Sequence, residues 1–183
     1  MFANAPKQRQ KIYAFIDSQN LNLGIRDQGW KLDFSRFRVY LNDKYNVSKA
    51  YLFIGYVSKN KKLYDHLESS GYKLIFKPTI IDRSGKMKGN VDAELIVWTM
   101  RCVYEKLCDK VIIVSGDGDF SILADFLMEK NKLLHFIVPN YKTMSILIKR
   151  EFIKEKKINL LSSLNTEKER LALKNPLYRS GNR

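Results

Sequence analysis

Five short apolar runs separated by segments of helical period constrain this chain more than any other feature. They are "IYAFI" (12–16), "AYLFIGYV" (50–57), "KLIFK" (73–77), "VIIVS" (111–115) and "LLHFIV" (133–138). Runs that stay apolar without alternating mark strands buried on both faces, as in a parallel sheet. Helical spacing covers roughly 33–45, 60–70, 91–107 and 119–131 between them, and again 144–149. Strand and helix therefore alternate, which calls for right-handed crossovers and an α/β fold. An open, mostly parallel sheet of about five strands with helices on both sides is expected.

The length of 183 residues suits one domain with a substantial core. Residues 1–11 read as a polar, basic leader, 12–164 as the domain and 165–183 as an appendage. Thr166 and Glu169 are spaced as a capping box, so a short helix is predicted ahead of Pro176. The form of "REFIKEKKINLLSSL" is not settled by its pattern. No run approaches the ~20 residues that span a bilayer. Cys102 and Cys108 fall six apart in one predicted helix, which suits neither a disulfide framework nor a zinc site. A soluble protein of the reducing cytoplasm is expected. Its formal net charge of +14 calls for a polyanion as partner, nucleic acid being the commonest.

Against that basic background, acidic residues gather at strand ends and helix starts. Asp17 follows "YAFI" directly, Asp117 and Asp119 follow "VIIV" within "SGDGDF", and Asp92 with Glu94 opens the helix after "DRSGKMKGN". Singly, each has a plain explanation as a cap or a partner of the helix dipole. If the first and fourth runs are neighbouring strands, Asp17, Asp117 and Asp119 converge, and like charges that close need neutralising. A hard divalent cation held by oxygen ligands does this. Gly116 and Gly118 are expected to let the backbone turn sharply, with Phe120 anchoring the loop in the core.

Other chemistries fit poorly. An EF-hand loop would need Gly and Glu where Ile122 and Met128 stand. A haloacid-dehalogenase phosphatase needs a second Asp at the place of Gln19. His66 and His135 have no obvious partners, and neither a nucleophile elbow nor a "GxxxxGK" phosphate cradle is present.

The motifs "FIDSQNLN", "KGNVDAEL" and "VIIVSGDGDFSILADF", in that order, resemble the NYN domain family, in its LabA-like branch of PIN-like ribonucleases. The resemblance spans roughly residues 12–164. It implies a PIN-like three-layer α/β/α sandwich and a site that cuts RNA phosphodiester bonds with Mg²⁺ or Mn²⁺, leaving 5′-phosphate and 3′-hydroxyl ends. By motif position it implies Asp17, Asn20, Asp92, Asp117 and Asp119 as catalytic residues. The four aspartates are the implied metal ligands, Asp17 and Asp117 chief among them. Many relatives carry a further carboxylate where this chain has Trp98. Glu94, one turn earlier on nearly the same stripe, is the candidate replacement.

Basic residues around this pocket are the expected RNA contacts. Arg83, Lys86 and Lys88 precede Asp92, and Lys59, Lys61 and Lys62 follow the second strand. They would hold phosphates with little sequence preference. Tyr56 or Trp30 is a candidate to stack on unpaired bases of a single strand, each with core packing as the alternative. A non-catalytic RNA-binding domain, a structural module and a small-substrate phosphatase stand as alternatives, and a homo-oligomer stays open.

Overall fold

In a computed structural model, residues 10–77, 80, 81, 87, 88 and 91–174 are described. Six parallel strands form one sheet in the order β3-β2-β1-β6-β7-β8, one more strand than expected. β1 (Ile12–Asp17) leads to α1 (Ser18–Arg26) and α2 (Phe34–Tyr45), then to β2 (Val47–Gly55). α3 (Lys61–Ser69) precedes the edge strand β3 (Tyr72–Lys77). A separate antiparallel pair is formed by β4 (Ile80–Ile81), just ahead of "DRSGKMKGN", and β5 (Met87–Lys88), within it.

The chain then returns through α4 (Val91–Tyr104) to β6 (Lys110–Val114), on the far side of β1. α5 (Ser121–Glu129), β7 (Leu133–Val138), α6 (Ile146–Lys154), β8 (Leu161–Ser163) and α7 (Lys168–Leu171) complete it. β8 is the strand that the pattern did not show, because three half-buried residues are too short to carry a period.

Side chains of successive strand residues point to opposite faces, and this divides the core into two layers. Ala14 and Ile16 pack with Leu21 and Ile25 of α1, Phe37 and Leu41 of α2, Leu67 of α3 and Leu171 of α7. Tyr13 and Phe15 pack with Leu95 of α4, Leu127 of α5 and Phe152 of α6. Both faces of the central strands are thus covered, as their unbroken apolar runs require. The result is a three-layer α/β/α sandwich of PIN-like form.

The stretch after residue 164 carries α7 and packs on the first layer. Leu171 is fully buried, Asp33 N donates to Leu171 O at 2.9 Å, and Leu32 bridges Ala172. The predicted capping box is not formed: Glu167 is the N-cap of α7 and makes no side-chain cap bond. Among the described residues no helix is long and apolar enough to cross a membrane.

Candidate active site at the carboxyl ends of β1 and β6

Strand order reverses between β1 and β6, and their carboxyl ends form the crevice where open α/β sheets bind ligands. Asp17 ends β1 and is 4% exposed. One of its oxygens caps α1, with Oδ1 accepting from Gln19 N at 3.1 Å and Asn20 N at 3.2 Å. Its other oxygen, Oδ2, accepts a long contact of 3.4 Å from Ser115 Oγ, which lies beyond β6. Ser115 Oγ in turn accepts from Asp117 N at 3.1 Å. One hydroxyl, 98 residues from Asp17 in the chain, therefore ties the Asp17 carboxylate to the backbone of Asp117.

Asn20 locks the same junction from the helix side. Its Oδ1 accepts from Gly116 N at 2.7 Å, so its amide nitrogen is the end left to donate. The turn 118–120 closes on Asp117, whose Oδ1 accepts from Asp119 N at 3.1 Å. Asp119 is exposed, and the N-cap of α5 is Phe120 without a side-chain bond, so Asp119 is not a cap. Phe120 is fully buried in the second layer and anchors the loop as expected.

The two glycines serve a different purpose from the one expected. Neither takes a left-handed conformation; among the described glycines only Gly29 and Gly71 do. What they supply is room. A Cβ on Gly116 would stand 3.3 Å from Asn20 Oδ1, and one on Gly118 would stand 3.0 Å from the Ser145 Cβ and closer still to its Oγ. Ser145 also donates its N–H to Gly116 O at 3.0 Å and caps α6. Sequence reasoning missed Ser115 and Ser145, although the serine heading "SGDGDF" was in plain view.

Asp92 and Glu94 lie in the first turn of α4, which packs against β1, β2 and the 118–120 turn. Asp92 shares a helical stripe with the fully buried Leu95 and Thr99, which turns it toward the sheet. Glu94 sits one turn before Trp98, whose ring packs on Tyr51 of β2 at 5.8 Å. Glu94 Oε2 is buried and has no hydrogen-bond partner among the described residues. A buried acceptor of this kind requires an explanation, and a ligand is one.

Among the described residues, no three His, Cys, Asp or Glu side chains are gathered to hold a metal ion by themselves. Mg²⁺ does not need such a cage. It keeps several waters and takes one or two carboxylates plus the phosphates of its substrate. The Asp17 carboxylate and the Asp117 N–H share Ser115 at the ends of β1 and β6, and Glu94 carries a buried oxygen on α4; the carboxylates of these three residues are hard oxygen donors of the kind Mg²⁺ or Mn²⁺ takes.

Two clefts flank the start of α1. One, of about 170 Å³, is lined by Asn20, Gly24, Asp27, Gly116, Asn140 and Thr143. The other, of about 240 Å³, lies toward β2 and α3. Lys59, Lys61 and Lys62 are exposed beside it, in the 58–60 turn and the first turn of α3. Lysines there add to the positive end of the helix dipole, an arrangement that favours an anion. Arg83 and Lys86 lie outside the described residues, and Lys88 belongs to β5. Trp30 is 7% exposed in the first-layer core, which removes it as a stacking residue, whereas Tyr56 is 51% exposed. His66 lies at the surface near Ser35, and His135, within β7, bonds Ser162 of β8.

Comparison with protein families gives a match to the NYN domain over residues 11–161. Comparison with curated proteins gives no match. Among solved structures, a protein of unknown function from Vibrio parahaemolyticus is similar, with a TM-score of 0.66 and 21% identity, covering 90% of this chain and 96% of its own. At that identity the likeness concerns the fold.

Proposed function

We propose a divalent-metal-dependent ribonuclease, on the premise that this chain belongs to the NYN domain family, whose PIN-like fold is generally that of a nuclease. The LabA-like character of its three motifs belongs to the same proposal. One observation carries it: the Asp17 carboxylate and the N–H of Asp117, distant in the chain, share the Ser115 hydroxyl where strand order reverses.

Asp17 and Asp117 would hold Mg²⁺ or Mn²⁺, with Asp92, Asp119 and Glu94 as direct or water-mediated supports. Such an ion lowers the pKa of water and offsets charge that grows on phosphoryl oxygens. The remaining work falls to the chain. Asp17 keeps one oxygen on the α1 cap, which fixes the carboxylate, and its Oδ2 accepts from Ser115 Oγ. Asn20, its carbonyl end held by Gly116 N, offers its amide N–H groups to a phosphate oxygen. Lys59, Lys61 and Lys62 supply the cationic rim that draws the backbone in, together with Arg83, Lys86 and Lys88. No histidine or covalent intermediate is needed.

A second reading is a non-catalytic RNA-binding domain. Trp98 favours it, because an indole packed on Tyr51 stands where relatives carry a carboxylate. Titrating Mn²⁺ or Mg²⁺ against a labelled single-stranded RNA separates the two. Cutting that needs the metal and disappears in Asp17→Asn supports the nuclease; metal-independent binding without cutting overturns it in favour of the binder.

A further inference from the structure

The cleft of about 240 Å³ beside Asp17 opens between the first turns of α1 and α3, over the carboxyl end of β2. Buried Leu67 lies at its bottom, followed outward by half-buried Ile54 and exposed Leu63. Gln19, Asn22 and Asn60 stand at exposed positions around its mouth. An apolar floor with amides at the rim matches the two aspects of a nucleobase. Its face is flat and apolar, and its edge carries donors and acceptors that an amide can meet in either sense.

Beyond this cleft along the same sheet edge, Tyr56 and Phe76 are 51% and 40% exposed and meet edge to face at 5.5 Å. Tyr64 backs them both, at 5.8 Å from Tyr56 and 4.9 Å from Phe76. The ledge is held stiff. Tyr64 OH accepts from Val57 N at 2.7 Å and lies 3.1 Å from Gly55 O, gripping the backbone on both sides of Tyr56. Three exposed lysines, Lys59, Lys61 and Lys62, occupy the next turn of chain. Rigid aromatic faces in solvent beside clustered cations are the combination that binds single-stranded nucleic acid. The net charge of +14 favours that occupant over a protein surface.

We infer that cleft and ledge form a two-base footing for an unpaired RNA strand: the cleft takes one base next to the scissile phosphate, and the Tyr56 ledge stacks its neighbour. The inference rests on the ribonuclease reading, which supplies the phosphate at Asp17. The lysines hold the intervening backbone. A paired A-form helix keeps its base faces stacked inside and cannot occupy either place.

The test uses the full chain in EDTA and fluorescence anisotropy of a short fluorescein-labelled RNA, single-stranded or as a blunt duplex. Tyr56→Ala is expected to weaken single-strand binding roughly 5- to 150-fold, the range for losing one base stack. Tyr56→Trp restores it. The salt dependence keeps its slope, since no phosphate contact is lost. Leu63→Trp, which fills the cleft, weakens single-strand binding comparably, and duplex binding is untouched by any of the three. Single-strand affinity equal to wild type in Tyr56→Ala and Leu63→Trp overturns the footing, as does an equal loss on duplex. Should Leu63→Trp misfold, the Tyr56 pair decides alone. Wild-type protein that binds no RNA removes the ribonuclease reading and the footing together. Wild-type protein that cuts single strands, with both variants binding and cutting at its rate, removes the footing only.

Discussion

Asp17 has two duties that substitution can separate. Its Oδ1 caps α1, its Oδ2 accepts from Ser115 Oγ, and the proposed function asks the same carboxylate to hold a metal ion. Asn caps a helix about as well as Asp, so Asp17→Asn should melt close to wild type in EDTA; it also removes a charge that is 4% exposed. Asp17→Ala loses the cap, about 1 kcal/mol, which in a chain of this size lowers Tm by roughly 2–4 °C. Metal separates the wild type from both variants. With Mn²⁺ at about 100 times its Kd, the wild type gains about 2.7 kcal/mol by mass action, or roughly 5–11 °C. Neither variant should gain it. Scanning calorimetry of the three proteins, in EDTA and across a Mn²⁺ titration, gives both comparisons. If Asp17→Asn melts with Asp17→Ala in EDTA, the capping argument is wrong. If it keeps the full Mn²⁺ shift, Asp17 is not a ligand and the nuclease reading loses its centre.

Two further outcomes follow from buried titratable groups. Burial, and then the Lys44 cation, hold the His135 pKa below its ordinary value of about 6.5. A depressed folded pKa means stability that is fully present above the unfolded value and lost as pH falls toward the folded one. Urea midpoints should therefore decline on acidification below about pH 6.5, and His135→Gln, which can still bond Ser162, should reduce that slope; an unchanged slope would place the linkage elsewhere. Burial also pushes the Cys108 thiol up to about 12 and raises Cys102, so both lack thiolate at pH 8. Iodoacetamide should leave the native chain unmodified by mass and label both cysteines in guanidinium, whereas rapid labelling of the native protein would show that the second layer opens.

How much of this was legible in the sequence depended on whether a residue's role left a period. β1 and β6 announced themselves because burial on both faces forbids polar residues, and α4 and α5 because a long buried stripe repeats. α1 was harder: its inward positions Leu21, Gly24 and Ile25 are interrupted by asparagines, and one of the three is a glycine pressed against Pro139. β8, with three residues, could show no pattern, and α7, with four, was legible only through the spacing of Thr166 and Glu169, a box that does not form. The two short elements are placed by contacts made elsewhere, β8 by pairing with β7 and α7 by Leu171 entering the core between α2 and the sheet.

The site shows a different limit. The sequence can propose that Asp17 and Asp117 meet, because strand order is a matter of topology. It cannot divide a carboxylate into its two oxygens. Capping aspartate and ligand aspartate are one letter, and at Asp17 the capping role is taken by Oδ1 while Oδ2 bonds Ser115, a division that no sequence pattern carries. The glycines carry the same lesson. A turn and a lack of space both select Gly, and only the neighbours Asn20 and Ser145 distinguish them. That distinction has a consequence for the loop. Because "SGDGDF" is held by Ser115, Asn20, Ser145 and buried Phe120 and not by a strained backbone, its aspartates are placed before any ion or substrate arrives. A loop arranged in advance spends no binding energy on ordering itself, and under the proposed ribonuclease reading that is what would let Asp17, Asp117 and Asn20 engage an ion and a phosphate without a closed cage.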